Sequence, residues 1–283
     1  MSVPGSLLLR RILSDQKTVP SPLLNRLGLQ VFRTITAHGL YRLRRPAIPH
    51  PYSGHIAALR RDGIVMIENF LPPAEFEAVH REFFDAYHRH QDRLLTLESR
   101  NRYQIAYFHK LPAESIPSSL AYLRNPMLQA LLEGGERRPW RTAFQFAGFE
   151  QVTYGADGEP DPQVSLHADA FYHTHKSWLY LEDVTEDNGP LALVKGSHHL
   201  TLSQLPYIYS HSCQVGVDAS RRINPQEVER LRTRETFVTC PRNTLIVANT
   251  SAYHHRTQGL PGRKRYAIHI MSRTSPFRLR VSR

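Results

Sequence analysis

The chain has 283 residues, 41% hydrophobic and 22% charged, which suits a folded protein with a sizeable core and excludes general disorder. Its only two cysteines, Cys213 and Cys240, exclude a disulfide framework or a thiolate metal cluster. No apolar run approaches the roughly 18 residues of a membrane span. Arg10 and Arg11 cut short the run Leu7, Leu8, Leu9, so no secretory signal is expected and the cytoplasm is the expected location.

The net charge of +11 is uneven. Residues 1–50 hold eight basic side chains (Arg10, Arg11, Lys17, Arg26, Arg33, Arg42, Arg44, Arg45) and one acid, Asp15, a net +7. Such a segment reads as a solvated extension, as a surface for an anionic partner or substrate, or, being acid-poor and Arg-rich, as an organelle transit peptide. Nucleic acid is not expected, because no known binding module with interleaved exposed aromatics is visible.

In chain order, residues 1–22 read as irregular, with Pro4, Pro20 and Pro22. Leu24, Leu27 and Val31 then fall on one helical face. Pro46, Pro49 and Pro51 break the chain, so residues 1–52 are expected to form a basic arm or cover. The main folded unit is expected over 53–283. Gly63 precedes a β-branched strand, Ile64-Val65-Met66-Ile67, and Pro72-Pro73 opens a helix with Phe76, Val79, Phe83 and Tyr87 on one face. A second helix is expected over 116–134. After Pro139, short strands at 142–154, 177–182, 190–194, 236–240, 244–248 and 265–271 are parted by turn residues. This texture predicts an all-β core with flanking helices, closed as a barrel or double sheet. Residues 197–234 interrupt it, with a helix expected over 225–232, and are a candidate lid.

Sixteen histidines are present, so a single one carries little weight. His167 and Asp169 are one residue apart, and strand residues i and i+2 face the same side. A third donor follows in Asn249-Thr250-Ser251-Ala252-Tyr253-His254, beside the rival His255. Two imidazoles and one carboxylate leave three positions free on an octahedral ferrous ion.

Four stretches together resemble the phytanoyl-CoA dioxygenase family of iron- and 2-oxoglutarate-dependent oxygenases. They are Leu59 to Leu71, His167-Ala168-Asp169, Trp178 to Leu191 running into Lys195-Gly196-Ser197-His198, and His254 to Arg265. The resemblance covers roughly residues 55–272. It implies a double-stranded β-helix, a jelly-roll or cupin-like barrel. It also implies Fe(II), 2-oxoglutarate and O2 as metal, cosubstrate and oxidant. His167, Asp169 and His254 match the family's metal ligands. Arg265, eleven residues after His254, matches the arginine for the distal carboxylate of 2-oxoglutarate, which a planar guanidinium can grip with two charged hydrogen bonds. Trp178 matches a residue lining the oxoglutarate site. Arg256 stands where a smaller polar residue often assists that carboxylate, with Thr257 beside it. Gln145, Tyr154, Lys176 and His173 are candidate pocket residues.

The implied reaction is hydroxylation, desaturation or cyclisation at an unactivated C–H bond of a small organic molecule, with release of succinate and CO2. Retention of Asp169 favours oxygenation over halogenation. An anionic substrate is one candidate class. The alternative reading is a non-catalytic jelly-roll protein that binds a ligand or partner.

Overall fold

The computed structural model describes residues 10–44, 46, 50–139, 144–214, 221–223, 225–272 and 275–277. Residues 1–9, 142–143, 215–220 and 224, which carry parts of the expected irregular start, first long strand and lid, lie outside them.

Helices α1 (Pro22–Arg26) and α2 (Leu29–Leu43) are parted by Gly28, which sits at φ +88°. The single helical stripe expected from Leu24, Leu27 and Val31 is thus two helices. Helix α3 (Ser53–Asp62) ends at Gly63, whose φ of +83° suits glycine. A Cβ there would sit 2.8 Å from His198 Nδ1, so the position also needs the missing side chain. Strand β1 (Ile64–Ile67) and helix α4 (Pro73–Arg89) follow as the periodicity predicts. Phe76, Val79, Phe83 and Tyr87 are all buried, each stabilising by about 1.5–3 kcal/mol.

Strands β2 (Leu95–Leu97) and β3 (Arg102–Tyr107) were not expected from the pattern. The helix expected over 116–134 is two, α5 (Pro117–Tyr122) and α6 (Pro126–Glu136). Asn125 caps α6 by accepting from the Met127 and Leu128 amides, and Pro126 occupies its first turn. The remaining elements are β4 (Phe144–Thr153), β5 (His167–Ala168), β6 (His175–Tyr180), β7 (Leu191–Val194), α7 (Leu205–Gln214), β8 (Arg221–Arg222), α8 (Pro225–Arg232), β9 (Glu235–Phe237), β10 (Thr244–Asn249), β11 (His254–Arg256) and β12 (Lys264–Ser272).

The expectation of a closed jelly-roll, cupin-like double-stranded β-helix is corrected here. The strands form two separate antiparallel sheets. Seven run in the order β1-β10-β6-β12-β4-β3-β2 and five in the order β8-β5-β11-β7-β9. No ladder joins them among the described residues, so β1 and β2 remain the edges of one sheet and β8 and β9 those of the other. Alternation and turn residues report strands, but closure depends on whether edge strands pair, which local pattern does not encode.

Helices α3 to α6 cover the outer face of the larger sheet, around Ile56, Phe83, Leu131, Phe149 and Ile268. A second cluster, including Ile64, Tyr180, Leu193 and Ile246, draws residues from both sheets. The inner face of the larger sheet is read from register: Tyr180, Ala267 and Glu150 form one row, and Trp178, His269 and Gly148 the next.

Candidate active site

The smaller sheet supplies both candidate histidines. His167 on β5 and His254 on β11 are paired directly across the ladder, with ring centroids 4.6 Å apart. Asp169 follows β5, where its amide donates to Thr250 O at 2.8 Å. One ligand atom from each of the three lies within 4.8 Å of the others. His167 Nε2 is 3.7 Å from Asp169 Oδ1, and His254 Nε2 is 3.8 Å from Asp169 Oδ2.

The two rings are held by the same device. His167 Nδ1 meets Ser165 O at 2.7 Å, and His254 Nδ1 meets Ala252 O at 2.9 Å. A carbonyl only accepts, so each Nδ1 carries the hydrogen and each Nε2 turns a lone pair towards Asp169. That tautomer is the one a metal needs, and the two-nitrogen, one-carboxylate set fits a divalent iron ion with open positions. Burial pushes the His254 imidazole down, which also favours the neutral ligand form, although Asp169 opposes it. Burial opposes ionisation of Asp169, but Lys176, His254 and His167 outweigh it and hold the carboxyl below its usual range.

A cavity of about 400 Å3 opens onto this group. Lys176 lies on its wall, with Nζ 2.8 Å from Asp169 Oδ2. Arg265, on β12, is buried in the same cavity and donates through Nη1 to Gly189 O. Trp178 also lines it, stacked on His269 at 5.3 Å with the planes 11° apart. Arg256 is tied to Asp161 at 3.0 Å, with its guanidinium over the Tyr103 ring.

Other sequence candidates are not on the lining of this cavity. Thr257 bonds Pro190 O through both its hydroxyl and its amide, and Tyr154 donates its hydroxyl to Gly189 O. Gln145 is exposed. His173 accepts from Asn249 Nδ2 at 2.7 Å and stacks on Tyr41, so it belongs to a buried histidine cluster. His255 turns to Glu235 at 3.3 Å, on the opposite side of β11 from His254. Arg263 is exposed near Asp187. Ser197 is a turn residue: its hydroxyl accepts from the Tyr253 amide and donates to Val194 O.

Sequence reasoning missed Glu150 and His269. Glu150 is buried, with Oε2 2.9 Å from His269 Nδ1 and 3.2 Å from the Tyr103 hydroxyl. Burial pushes its carboxyl up, but His269, Arg265 and Arg256 outweigh this and hold it down at about 2. Period-two counting from Arg265 would have found His269, four positions on along β12 and facing the same cavity.

The sequence profile of the phytanoyl-CoA dioxygenase (PhyH) family matches residues 59–240. No curated protein matches the chain by sequence. Among solved structures, the epimerase SnoN in complex with Fe3+, alpha ketoglutarate and nogalamycin RO is 16% identical, with 80% of this chain and 84% of that chain covered and a TM-score of 0.56. EctD from S. alaskensis with 2-oxoglutarate and 5-hydroxyectoine is 14% identical over 84% of this chain and 82% of that chain, with a TM-score of 0.56. The carbocyclase SnoK from nogalamycin biosynthesis is 13% identical over 81% and 86%, with a TM-score of 0.52. At such identities these likenesses establish a shared fold. The profile match spans well over half of the sequence and contains His167 and Asp169; the chain belongs to the phytanoyl-CoA dioxygenase (PhyH) family and is an Fe(II)/2-oxoglutarate-dependent dioxygenase.

Proposed function

We propose that His167, Asp169 and His254 hold ferrous iron, and that Arg265 takes the distal carboxylate of 2-oxoglutarate. The substrate we propose is a small organic molecule with an anionic group, oxidised at an unactivated C–H bond with release of succinate and CO2. The observation that carries the reading is the pair of imidazoles, each with Nδ1 spent on a backbone carbonyl and Nε2 turned to one carboxylate.

Iron bound there, with 2-oxoglutarate and O2, supplies the oxidising chemistry that cleaves the C–H bond. The chain's own part is binding, orientation and exclusion of water. The two carbonyl tethers keep both rings in the metal-binding tautomer. Arg265 offers a fixed planar fork for a carboxylate, and its burial strengthens that contact. Trp178, braced by His269, gives a flat wall beside it. Phe146, Met271 and Leu191 make the cavity partly apolar, which suits a carbon skeleton. Lys17, on the same cavity, is the cation we assign to the substrate's anionic group.

In this reading residues 53–283 are the catalytic unit, 1–52 its cover and 197–234 its lid. Two contacts support the cover and lid acting together: Asn25 Nδ2 donates to Ser212 O at 3.0 Å, and the Tyr209 hydroxyl donates to Arg26 O at 2.9 Å. The unpaired cysteines Cys213 and Cys240 suit a reducing compartment, and the cytoplasm is our proposed location. Among the described residues no helix is long and apolar enough to cross a membrane.

The test is a substrate screen on anaerobically purified protein with Fe(II) and 2-oxoglutarate, started by oxygen and read as succinate together with product mass. Wild-type protein is expected to form both, and Asp169→Ala neither. A four-ligand zinc site, or succinate-independent product, overturns the reading.

A further inference from the structure

Helix α2 is inside out. Its buried face carries Gln30, Arg33, Thr34 and His38 beside Ala37 and Tyr41. Its exposed face carries Phe32 at 65%, Ile35 at 48% and Leu43 at 77% accessibility, and α1 with its following turn adds Leu23 at 68% and Leu27 at 75%. An ordinary surface helix does the opposite.

The inversion is fixed by bonding. Arg33, 1% exposed, donates to Ile12 O, Ser14 O, Gln16 O and Gln30 Oε1 at 2.7–3.1 Å. Its guanidinium also lies 4.5 Å from the centre of the Phe171 ring, two residues beyond Asp169. The Thr34 hydroxyl donates to Gln30 O, and Gln30 Nε2 to Lys17 O. Rotating α2 to hide Phe32, Ile35 and Leu43 would strand a buried guanidinium, so the apolar side faces outward by necessity.

Charge selects the occupant of that face. Arg10, Arg11, Arg26 and Arg42 are exposed on the same stretch, and Asp15 is the sole acid in residues 1–50. A second copy would bring two strongly positive faces together. An anionic lipid surface would neutralise them, with leucines and Phe32 entering the acyl boundary and arginines reaching the headgroups.

We propose that α1 and α2 form a docking surface for an anionic phospholipid bilayer, lying in the membrane interface without crossing it. This surface is independent of the iron chemistry. It does, however, set the active site near the lipid. Lys17, held by α2, lines the catalytic cavity, and a smaller cavity bordered by Lys17, Gln30, Phe171 and Asp169 lies behind the helix.

The test uses the full chain and sedimentation with vesicles of phosphatidylcholine alone or mixed with phosphatidylglycerol. Wild-type protein is expected to partition to the mixed vesicles at least about tenfold more strongly, and to be released by high salt. The double variants Phe32→Ser/Ile35→Ser and Arg26→Glu/Arg42→Glu are each expected to lose at least about fivefold of that partitioning. Their thermal unfolding should match wild type, since the replaced side chains are exposed. Leu260→Ser, which alters an exposed leucine between β11 and β12, is expected to bind as wild type. Absence of binding, or equal binding to both vesicles, overturns the proposal. So does a concentration-dependent dimer in light scattering that Phe32→Ser/Ile35→Ser dissolves, which would assign the face to a second copy.

Discussion

Lys176 Nζ lies 2.8 Å from Asp169 Oδ2, on the carboxylate that both His167 and His254 face. The ammonium stands beside the place proposed for a dication and compensates the same negative charge. Lys176 comes from β6 of the larger sheet and Asp169 from the segment after β5 of the smaller, so the pair also ties the two sheets at the site.

Removing that ammonium should have opposite effects with and without metal. In Lys176→Met the buried carboxylate loses its cation, so metal-free protein is expected to lose about 1–3 kcal/mol of stability. Fe(II) or Mn(II) is expected to bind tighter than in wild type, because a positive neighbour no longer repels it. Thermal unfolding of the variant with and without metal checks both signs at once. Weaker metal binding in the variant would mean that Lys176 orients the carboxylate instead of competing for it.

Arg265 is buried on the cavity lining, and its planar guanidinium is the group proposed for the distal carboxylate of 2-oxoglutarate. Arg265→Leu is expected to raise the 2-oxoglutarate requirement at least about tenfold, since a charged hydrogen bond contributes about 1.5–3 kcal/mol. Metal affinity should change far less, because the metal-binding candidates lie on other strands. Arg263→Leu, which alters an exposed side chain, should be close to neutral. Anaerobic titrations of metal and of 2-oxoglutarate separate the two effects; the reverse ranking of the two arginines would reassign the anchor.

Much of the site was legible because it is periodic. His167 with Asp169, and His254 with Arg265, are separations that can be counted along the chain. Their distance from one another is not: His167 meets His254 only because β5 and β11 are neighbours in the smaller sheet. The open sheets were illegible for the same reason, since the edges β1, β2, β8 and β9 declare themselves only by the lack of a further partner among the described residues. Glu150 was hidden in an apolar-looking strand. Its meaning comes from His269 and Tyr103, which the β4–β12 and β3–β4 registers bring to it. Arg33 was read as one more charge of a basic arm, whereas its backbone partners make it a buried anchor.

Glu150 should leave a mark on acid stability. Its folded carboxyl is held down at about 2 by His269, Arg265 and Arg256 against the pull of burial, from an ordinary value of 4.5. A depressed carboxyl contributes stability that is present above the unfolded value and lost as pH falls through the folded one. Wild-type protein is therefore expected to lose up to about 3 kcal/mol between pH 4.5 and 2 from this group. Glu150→Gln should flatten that window while lowering stability at pH 7, because His269 loses its partner. Urea unfolding across the range is the measurement, and an unchanged slope in the variant would place the acid sensitivity elsewhere.

A second, higher window belongs to His198. Its ring is 3% exposed, its Nε2 donates to Arg60 O at 3.0 Å, and its Nδ1 is buried beside Gly63. Burial chiefly, with His199 and His175 adding to it, pushes the imidazole down to about 4 from 6.5, against the opposing effects of the Arg60 carbonyl and Asp62. His173, whose ring centroid is 5.7 Å away, is shifted down as well, again mainly by burial. Between these values the unfolded chain binds protons that the folded chain refuses, so stability rises with pH and is lost as pH falls from about 6.5 towards 4. Each pKa unit corresponds to about 1.4 kcal/mol, so His198 alone gives a loss of up to about 3 kcal/mol. His198→Gln can still donate to the Arg60 carbonyl but takes up no proton. It should shrink the loss between pH 6.5 and 4 and leave the Glu150 window below 4.5 intact. If the variant lost stability across pH 6.5 to 4 as steeply as wild type, His198 would not be the group that titrates, and His173 would remain to be tested by the corresponding His173→Gln substitution.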